Sequence, residues 1–374
     1  MATDFKNTEK IIIIGAGPAG VAAAIQLSRE GIKSVLIEKE KGMRNKPCGG
    51  AVSPRAITMY KLLGMPGNYF EKNGRRENQA RIEGFGKVLN GFSHNKTYGF
   101  MMDRRILDWD FQQLAKQSKD VEILYGLKVV DVTLEGKRVR VKIKTKAKIT
   151  NVFCKYLIAA DGAGSIVRIK IFGAKIRDHD MVLTSGTFID NNRIQRSYIR
   201  FHEDYLPTYS WKFPHKGDRT NMGIGIYKNV YKKKLGDVSL FSSLLSRMDP
   251  SFSKKKLERW FINTNPFQKK QYRRRIFLIG DAGGYVDAFT GEGILYALRS
   301  GISIAKTIAA MEKYGSQQYV VHPIYMFPTF VRLVKSKVLQ LLFYHFGFTA
   351  RVTFYLCARF RRINNLFSKY FSNT

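Results

Sequence analysis

At 374 residues the chain is long enough to bury a large core in two lobes, and 44% hydrophobic with 25% charged content excludes a disordered or fibrous protein. Sixty-four Lys and Arg against 29 Asp and Glu give a formal charge of +35, which favours an anionic partner, although lysines dispersed over a solvated surface account for the same number. Three cysteines, Cys48, Cys154 and Cys357, form an odd set without metal-ligand spacing, so neither a metal site nor structural disulfides are expected.

The N-terminal MATDFKNTEK has no signal-peptide core, and no run of about 20 apolar residues marks a spanning helix, so a cytoplasmic location is expected. The apolar run Ile11–Ile14 leads into Gly15-Ala16-Gly17-Pro18-Ala19-Gly20 and then a helical pattern through Ala22, Ala23, Ile25 and Leu27. A second run, 34–37, ends at Glu38, 23 positions after Gly15. Strand, glycine turn, helix, strand and acid predict a dinucleotide-binding βαβ unit. Gly15 permits the turn, Gly17 lets backbone approach a pyrophosphate, and Gly20 lets the helix pack on the strand. The helix N-terminus offers free N–H groups and partial positive charge. Glu38 is placed to accept hydrogen bonds from an adenosine ribose and to repel a 2′-phosphate.

A loop dense in Gly, Pro and Lys follows, ending in a short helix from about Pro54. Gly49 and Gly50 let its backbone lie flat against a ring. Cys48, beside Arg44 and Lys46, reads equally as a reactive thiol or as a small turn residue. Residues 81–99 alternate apolar and polar, which predicts a β-hairpin of the second lobe. MMDRRILDWDFQQLAKQSKD predicts an amphipathic helix with Arg104 and Arg105 at its start. A cation there opposes the helix dipole, and either a cofactor phosphate or plain solvation answers it.

Strands at 121–124, 129–133, 139–144 and 152–159 predict a three-stranded crossover and a return to the central sheet. The return delivers Asp161-Gly162 to the crevice at the carboxyl end of the sheet, or to a turn without a ligand role. Residues 181–227 take period two, with Tyr209, Trp211 and Phe213 on one face as core or substrate wall. A strand at 273–279 delivers Gly280-Asp281, placed to bind a polyol hydroxyl. Gly291-Glu292-Gly293-Ile294 can pass close to a flat ring before a helix running to about Met311. Residues 323–374 are helical in pattern, aromatic and basic, suited either to the interface of an anionic bilayer or to a helical lid.

Three glycine turns, GAGPAG, ADGAG and GDAGG, stand in the order found in FAD-dependent enzymes of the para-hydroxybenzoate hydroxylase fold. PCGGAVSPRAI, MDRRILD, YSWKFP followed by GIGIY, and GDAGGYVDAFTGEGILYALRSG together resemble the geranylgeranyl reductase family of flavoproteins, over nearly the whole chain to about Ala310. The resemblance implies an α/β, two-lobed fold: a Rossmann-like FAD lobe, a mainly antiparallel substrate sheet and a helical tail. The corresponding division is 1–80, 98–175 and 270–311 for the FAD domain, 81–97 and 176–269 for the substrate domain, and 312–374 for the tail.

It further implies that Gly15, Gly17, Gly20 and Glu38 hold the ADP half of FAD, with Ala19, Lys39 and Val129 as further cofactor positions. Arg104, Asp161, Gly162, Gly280, Asp281, Gly291, Gly293 and Ile294 complete the FAD set. Cys48, Gly49 and Gly50 lie beside the flavin as catalytic positions, and Tyr209, Trp211, Phe213 and Pro214 line a lipid cavity. Two departures border the substrate side. Leu206 stands where the family has a proline, with Pro207 following, and Asp287-Ala288-Phe289 replaces a proline after the Gly-Asp turn.

The function so implied is reduction of isolated C=C bonds in a polyprenyl chain, with Cys48 or a water as proton source. FAD is non-covalent, and NAD(P)H or a ferredoxin-like protein serves as transient electron donor. An isoprenoid or lipid substrate is expected, and nucleic acid is not. The alternatives are a flavin monooxygenase acting on an aromatic or quinone, a halogenase, and a non-catalytic basic flavoprotein on the cytoplasmic face of a membrane.

Overall fold

The computed structural model describes residues 11–44, 46–91, 99–145, 148–190, 194–206, 208–234, 239–249, 257–265, 272–315, 321–345 and 347–372. Its organising strand is β1 (Ile11–Ile14), which lies inside a six-stranded sheet. β1 pairs in parallel with β2 (Ser34–Glu38) on one side and with Tyr156–Ala159 on the other. Val121–Tyr125 extends the sheet beyond β2, while Ile276–Leu278 and then Tyr272–Arg273 extend the other edge, the final pair being antiparallel.

A parallel sheet must be covered on both faces, and side chains alternate between them. Ile11 and Ile13 accordingly share a core with α1 (Pro18–Arg29) and the helix Ile294–Tyr314. Ile12 and Ile14 instead meet Val132, Val139 and Val141 of the expected three-stranded crossover, whose strands are Lys128–Glu135, Arg138–Lys144 and Ile149–Cys154.

Among the described residues, Ile294–Tyr314 is long and apolar enough to cross a membrane by length and composition alone. It is nevertheless a core helix, with 78% of its apolar window buried. Gly301 lets it press against α1, since a Cβ at that position would collide with the Ala19 carbonyl.

The second lobe is a seven-stranded sheet. Its strands run in the order Glu258–Asn263, Met181–Ile189, Arg219–Tyr227, Thr208–His215, Ser197–Phe201, Ala80–Gly84 and Lys87–Gly91. Every neighbour is antiparallel except Ser197–Phe201 with Ala80–Gly84. The hairpin expected over 81–99 is observed as Ala80–Gly84 paired with Lys87–Gly91, and residues 92–98 lie outside the described residues. Gly99 starts a separate strand, Gly99–Met101, which pairs with Ala51–Val52 and Arg75–Glu77 under the first lobe.

Three further helices follow: Val321–His345, Gly347–Arg359 and Arg361–Ser372. Their inward side chains Phe343, Ala350, Phe354 and Cys357 share a core with Ile82, Leu89 and Phe201 of the large sheet. The result is the two-lobed α/β architecture with a helical tail that the sequence predicts.

Candidate active site

The nucleotide end is built by main chain. Gly15 has φ +96°, and a Cβ there would stand 2.5 Å from the Ala160 carbonyl oxygen. A Cβ at Gly20 would collide with the Gly15 carbonyl oxygen. No side chain fits at either position, so the turn at the N-terminus of α1 stays bare and its N–H groups can meet an anion. Gly17 differs, because the space beside it is bounded by the Arg44 guanidinium at 3.1 and 3.2 Å. Buried Glu38 accepts the Ala16 N–H at 2.9 Å through Oε2 and the Glu40 N–H at 3.0 Å through Oε1, tying the turn to the end of β2.

The remaining nucleotide-side positions have unequal placements. Ala19 packs beside Gly280, whose Cβ, if present, would stand 2.9 Å from that of Ala19. Lys39 is exposed and lies 5.7 Å over the Trp260 ring. The Val129 side chain is in the core, leaving only its main chain for a ligand. Asp161 accepts the Ile166 N–H at 2.9 Å, and burial pushes its carboxyl above the usual range. Gly162 faces open space, and neither Asp161 nor Gly162 lines the cavity described below.

Three cations, Arg44 beside Gly17 together with Lys46 and Arg104, act on Asp281. Arg104 donates to both Asp108 oxygens at 3.0 Å, Arg44 reaches Asp108 at 2.7 Å, and Lys46 pairs with Asp281 at 2.9 Å. Burial alone would raise the Asp108 carboxyl, but Arg104 and then Arg44 hold it below the ordinary carboxylate range. Asp281 follows the same logic, with burial opposed first by Lys46. The anion expected beside Arg104 is therefore supplied by the chain itself: Asp108, one helical turn on, faces it at i,i+4. Asp103 caps this helix, Arg104–Lys116, by accepting the Arg105 N–H at 3.0 Å.

A cavity of about 250 Å³ opens between three walls: the loop around Cys48, one face of the large sheet, and the 286–297 segment. Cys48 Sγ accepts from Arg104 Nη1 and from the Gly50 N–H, each at 3.5 Å. Odd-numbered Tyr209, Trp211 and Phe213 face the cavity, as period two requires. Pro214 falls on the opposite side of that strand and does not line it. The ring against Gly49 belongs to the protein: a Cβ there would lie 2.7 Å from Phe213 and 3.2 Å from Trp211 Nε1. Gly50, at φ +80°, has no room either, since its Cβ would meet Met102 O and lie 2.7 Å from His215 Cε1.

Several residues that hold the cavity went unread in the sequence. Nε2 of His215 lies 3.0 Å from the Gly49 carbonyl, and burial lowers that imidazole to about 4. It is therefore neutral at pH 7 and donates to the carbonyl through Nε2. Its signal was present, since His215 continues the odd-numbered face of Tyr209, Trp211 and Phe213. Tyr209 and Tyr227 donate to the Thr290 and Ala288 carbonyls, each at 2.8 Å, and so tie the 287–293 loop to the sheet. Gly291, Gly293 and Ile294 line the cavity from that loop.

The Asp287-Ala288-Phe289 departure has a structural role. Asp287 Oδ1 accepts the Phe289 and Thr290 N–H groups at 3.0 and 2.9 Å. Phe289 lines the cavity and also packs edge-on to Phe343 at 5.1 Å, linking the loop to the tail. Leu206 packs at the edge of the same tail core, and Pro207 lies outside the described residues.

Residues 8–206 match the family described as FAD binding domain. Over 323 residues the chain is 28% identical to a menaquinone reductase of Mycobacterium tuberculosis, covering 79% of this chain and 75% of that one. It is 26% identical over 319 residues to a digeranylgeranylglycerophospholipid reductase of Methanococcus vannielii, covering 80% and 76%. A geranylgeranyl bacteriochlorophyll reductase-like structure from Thermoplasma acidophilum aligns with TM-score 0.75 over 98% of this chain and 91% of that one. At 19% identity that likeness speaks for the fold.

Proposed function

The chain belongs to the FAD binding domain family, and from that premise we propose that it reduces isolated C=C bonds in a geranylgeranyl or longer polyprenyl chain. The observation that carries this reading is one cavity shared by the Cys48-Gly49-Gly50 loop, the Gly-Asp turn at Asp281 and an aromatic sheet face. FAD suits the residues present. The bare turn of Gly15, Gly17 and Gly20, with the Arg44 guanidinium beside Gly17, receives a diphosphate. Glu38 keeps lone pairs for a ribose, and Asp281 can exchange Lys46 for a ribityl hydroxyl.

When bound, FAD supplies hydride from its reduced ring. The chain must supply the rest. Tyr209, Trp211 and Phe213 hold an apolar chain by excluding water, worth about 0.8 kcal/mol for each methylene buried. An unactivated alkene that takes hydride at one carbon needs a proton at its neighbour, so the π bond breaks as two C–H bonds form. The Cys48 thiol is that donor, and the negative charge it retains faces Arg104 Nη1. Water then returns the proton to sulfur. Gly49 and Gly50 keep the loop thin enough to hold the thiol between the rings and the cofactor elements.

The electron donor in this reading is a transient partner, NAD(P)H or a ferredoxin-like protein, and the lipid substrate is met at the cytoplasmic face of a membrane. The test is product mass. Reduced holoenzyme given prenylated lipids or a prenylated quinone should add two hydrogens for each bond reduced. Addition of an oxygen atom would replace this reading with a monooxygenase.

A further inference from the structure

After Glu312 the sequence contains no Asp or Glu, while Lys or Arg recurs at nine positions. In the same stretch lie twelve of the eighteen large apolar side chains that are exposed among the described residues. Scattered exposed apolar residues are ordinary, but a concentration of them beside charge of one sign marks an interaction surface.

Each tail helix is two-faced. In Val321–His345 the buried face carries His322, Met326, Thr329, Leu333 and Phe343, whereas Ile324, Phe327, Val338 and Leu342 point out with Lys335. In Gly347–Arg359, Ala350, Phe354 and Cys357 are buried, while Phe348, Arg351, Tyr355 and Arg359 are exposed. In Arg361–Ser372, Ile363, Phe367 and Tyr370 pack inward, while Arg361, Arg362 and Leu366 face out. An outward helix face normally carries polar residues. Here Ile324 and Phe348 are 71% and 77% exposed.

Charge selects the occupant. A second copy seated on this face would bring cations against cations with no carboxylate on any of the three helices to offset them. A spanning arrangement fails because the inner faces are committed to the core. Exposed apolar and aromatic side chains bordered by Lys and Arg suit the headgroup layer of an anionic bilayer. The surface is also mechanically close to the cavity, because Phe289 lines the cavity and touches both Phe343 and Phe367 of the tail.

We propose that the outward faces of the three C-terminal helices dock this protein on an anionic lipid bilayer. The docking does not depend on which reaction the cavity performs, so its test reads binding alone. The FAD-loaded full chain is floated with phosphatidylglycerol/phosphatidylcholine vesicles and with pure phosphatidylcholine vesicles. It should bind the former at low salt and release as salt rises. Arg361→Glu with Arg362→Glu should weaken partition at least about 25-fold, about fivefold for each cation removed. Phe327→Ser with Phe348→Ser should also weaken it while leaving flavin content and melting temperature unchanged, since both side chains are exposed. Absence of flotation at low salt, equal binding to neutral vesicles, or a concentration-dependent dimer dissolved by the serine variant would each overturn the proposal.

Discussion

Two pairs of glycines frame the site, and different neighbours exclude side chains from them. At Gly15 and Gly20 the obstacle is carbonyl oxygen, from Ala160 and from Gly15 itself. At Gly49 it is side chain alone, from Phe213 and Trp211 on a strand far along the sequence, while Gly50 meets both the Met102 carbonyl oxygen and the His215 ring. Main chain cannot be substituted away, so the nucleotide turn is a requirement of the fold. Side chains can be exchanged in pairs, so the Gly49 part of the cavity loop and its aromatic wall can be remodelled without losing the cofactor lobe. That contrast explains how one FAD lobe can serve different substrates.

The largest expected effect lies at the nucleotide turn. Gly20→Ala places a methyl against a carbonyl oxygen that no rotamer change relieves, so the protein should purify without FAD, read as lost flavin absorbance. A yellow Gly20→Ala protein with full flavin content would break the comparison. Next comes Cys48→Ala, which should retain FAD and still accept electrons yet lose alkene reduction by roughly 10²–10⁴-fold. Cys48→Ser should fall between, because a hydroxyl relays a proton from water. Unchanged turnover in the alanine variant would reduce Cys48 to a packing residue.

A paired substitution sharpens the contrast. Gly49→Ala should cost about 1–3 kcal/mol in unfolding free energy through overpacking, and adding Phe213→Leu should recover most of it. Additive losses would show that something other than Phe213 closes the loop.

The last effect concerns pH. Burial lowers His202, His215 and His322 from 6.5 to about 4. The unfolded chain binds these protons below about 6.5 and the folded chain does not, so stability is full above that pH and falls toward pH 4. Each histidine contributes a slope of about 1.4 kcal/mol per pH unit across that window. Denaturant titrations of His215→Gln should show a slope smaller by one such increment, and an unchanged slope would mean that His215 takes up its proton in the folded state.

The legible parts of the site are the local ones. The βαβ unit from Ile11 to Glu38 is read directly because strand, turn, helix and acid are consecutive, and the strand before Gly280-Asp281 follows the same grammar. The odd-numbered aromatic face was legible from period two, which should also have shown that Pro214 turns away from the cavity. Arg104 opposes its helix dipole, and the partner that offsets it, Asp108, stands four residues on in the sequence. The rest is long-range. Nothing in the local pattern pairs Lys46 with Asp281, 235 residues apart within the first lobe, or sets Phe213 of the second lobe against Gly49 of the first. Ile294–Tyr314 shows the converse: composition fits a membrane helix, and only its packing on α1 makes it core.

The central claim is that an alkene, rather than oxygen, receives what the reduced cofactor delivers in this cavity. It is tested most directly by mixing dithionite-reduced holoenzyme with a prenylated lipid under strict anaerobiosis and following flavin absorbance. The account predicts reoxidation by the lipid alone, greatly slowed in Cys48→Ala. Flavin that stays reduced until oxygen is admitted would contradict it.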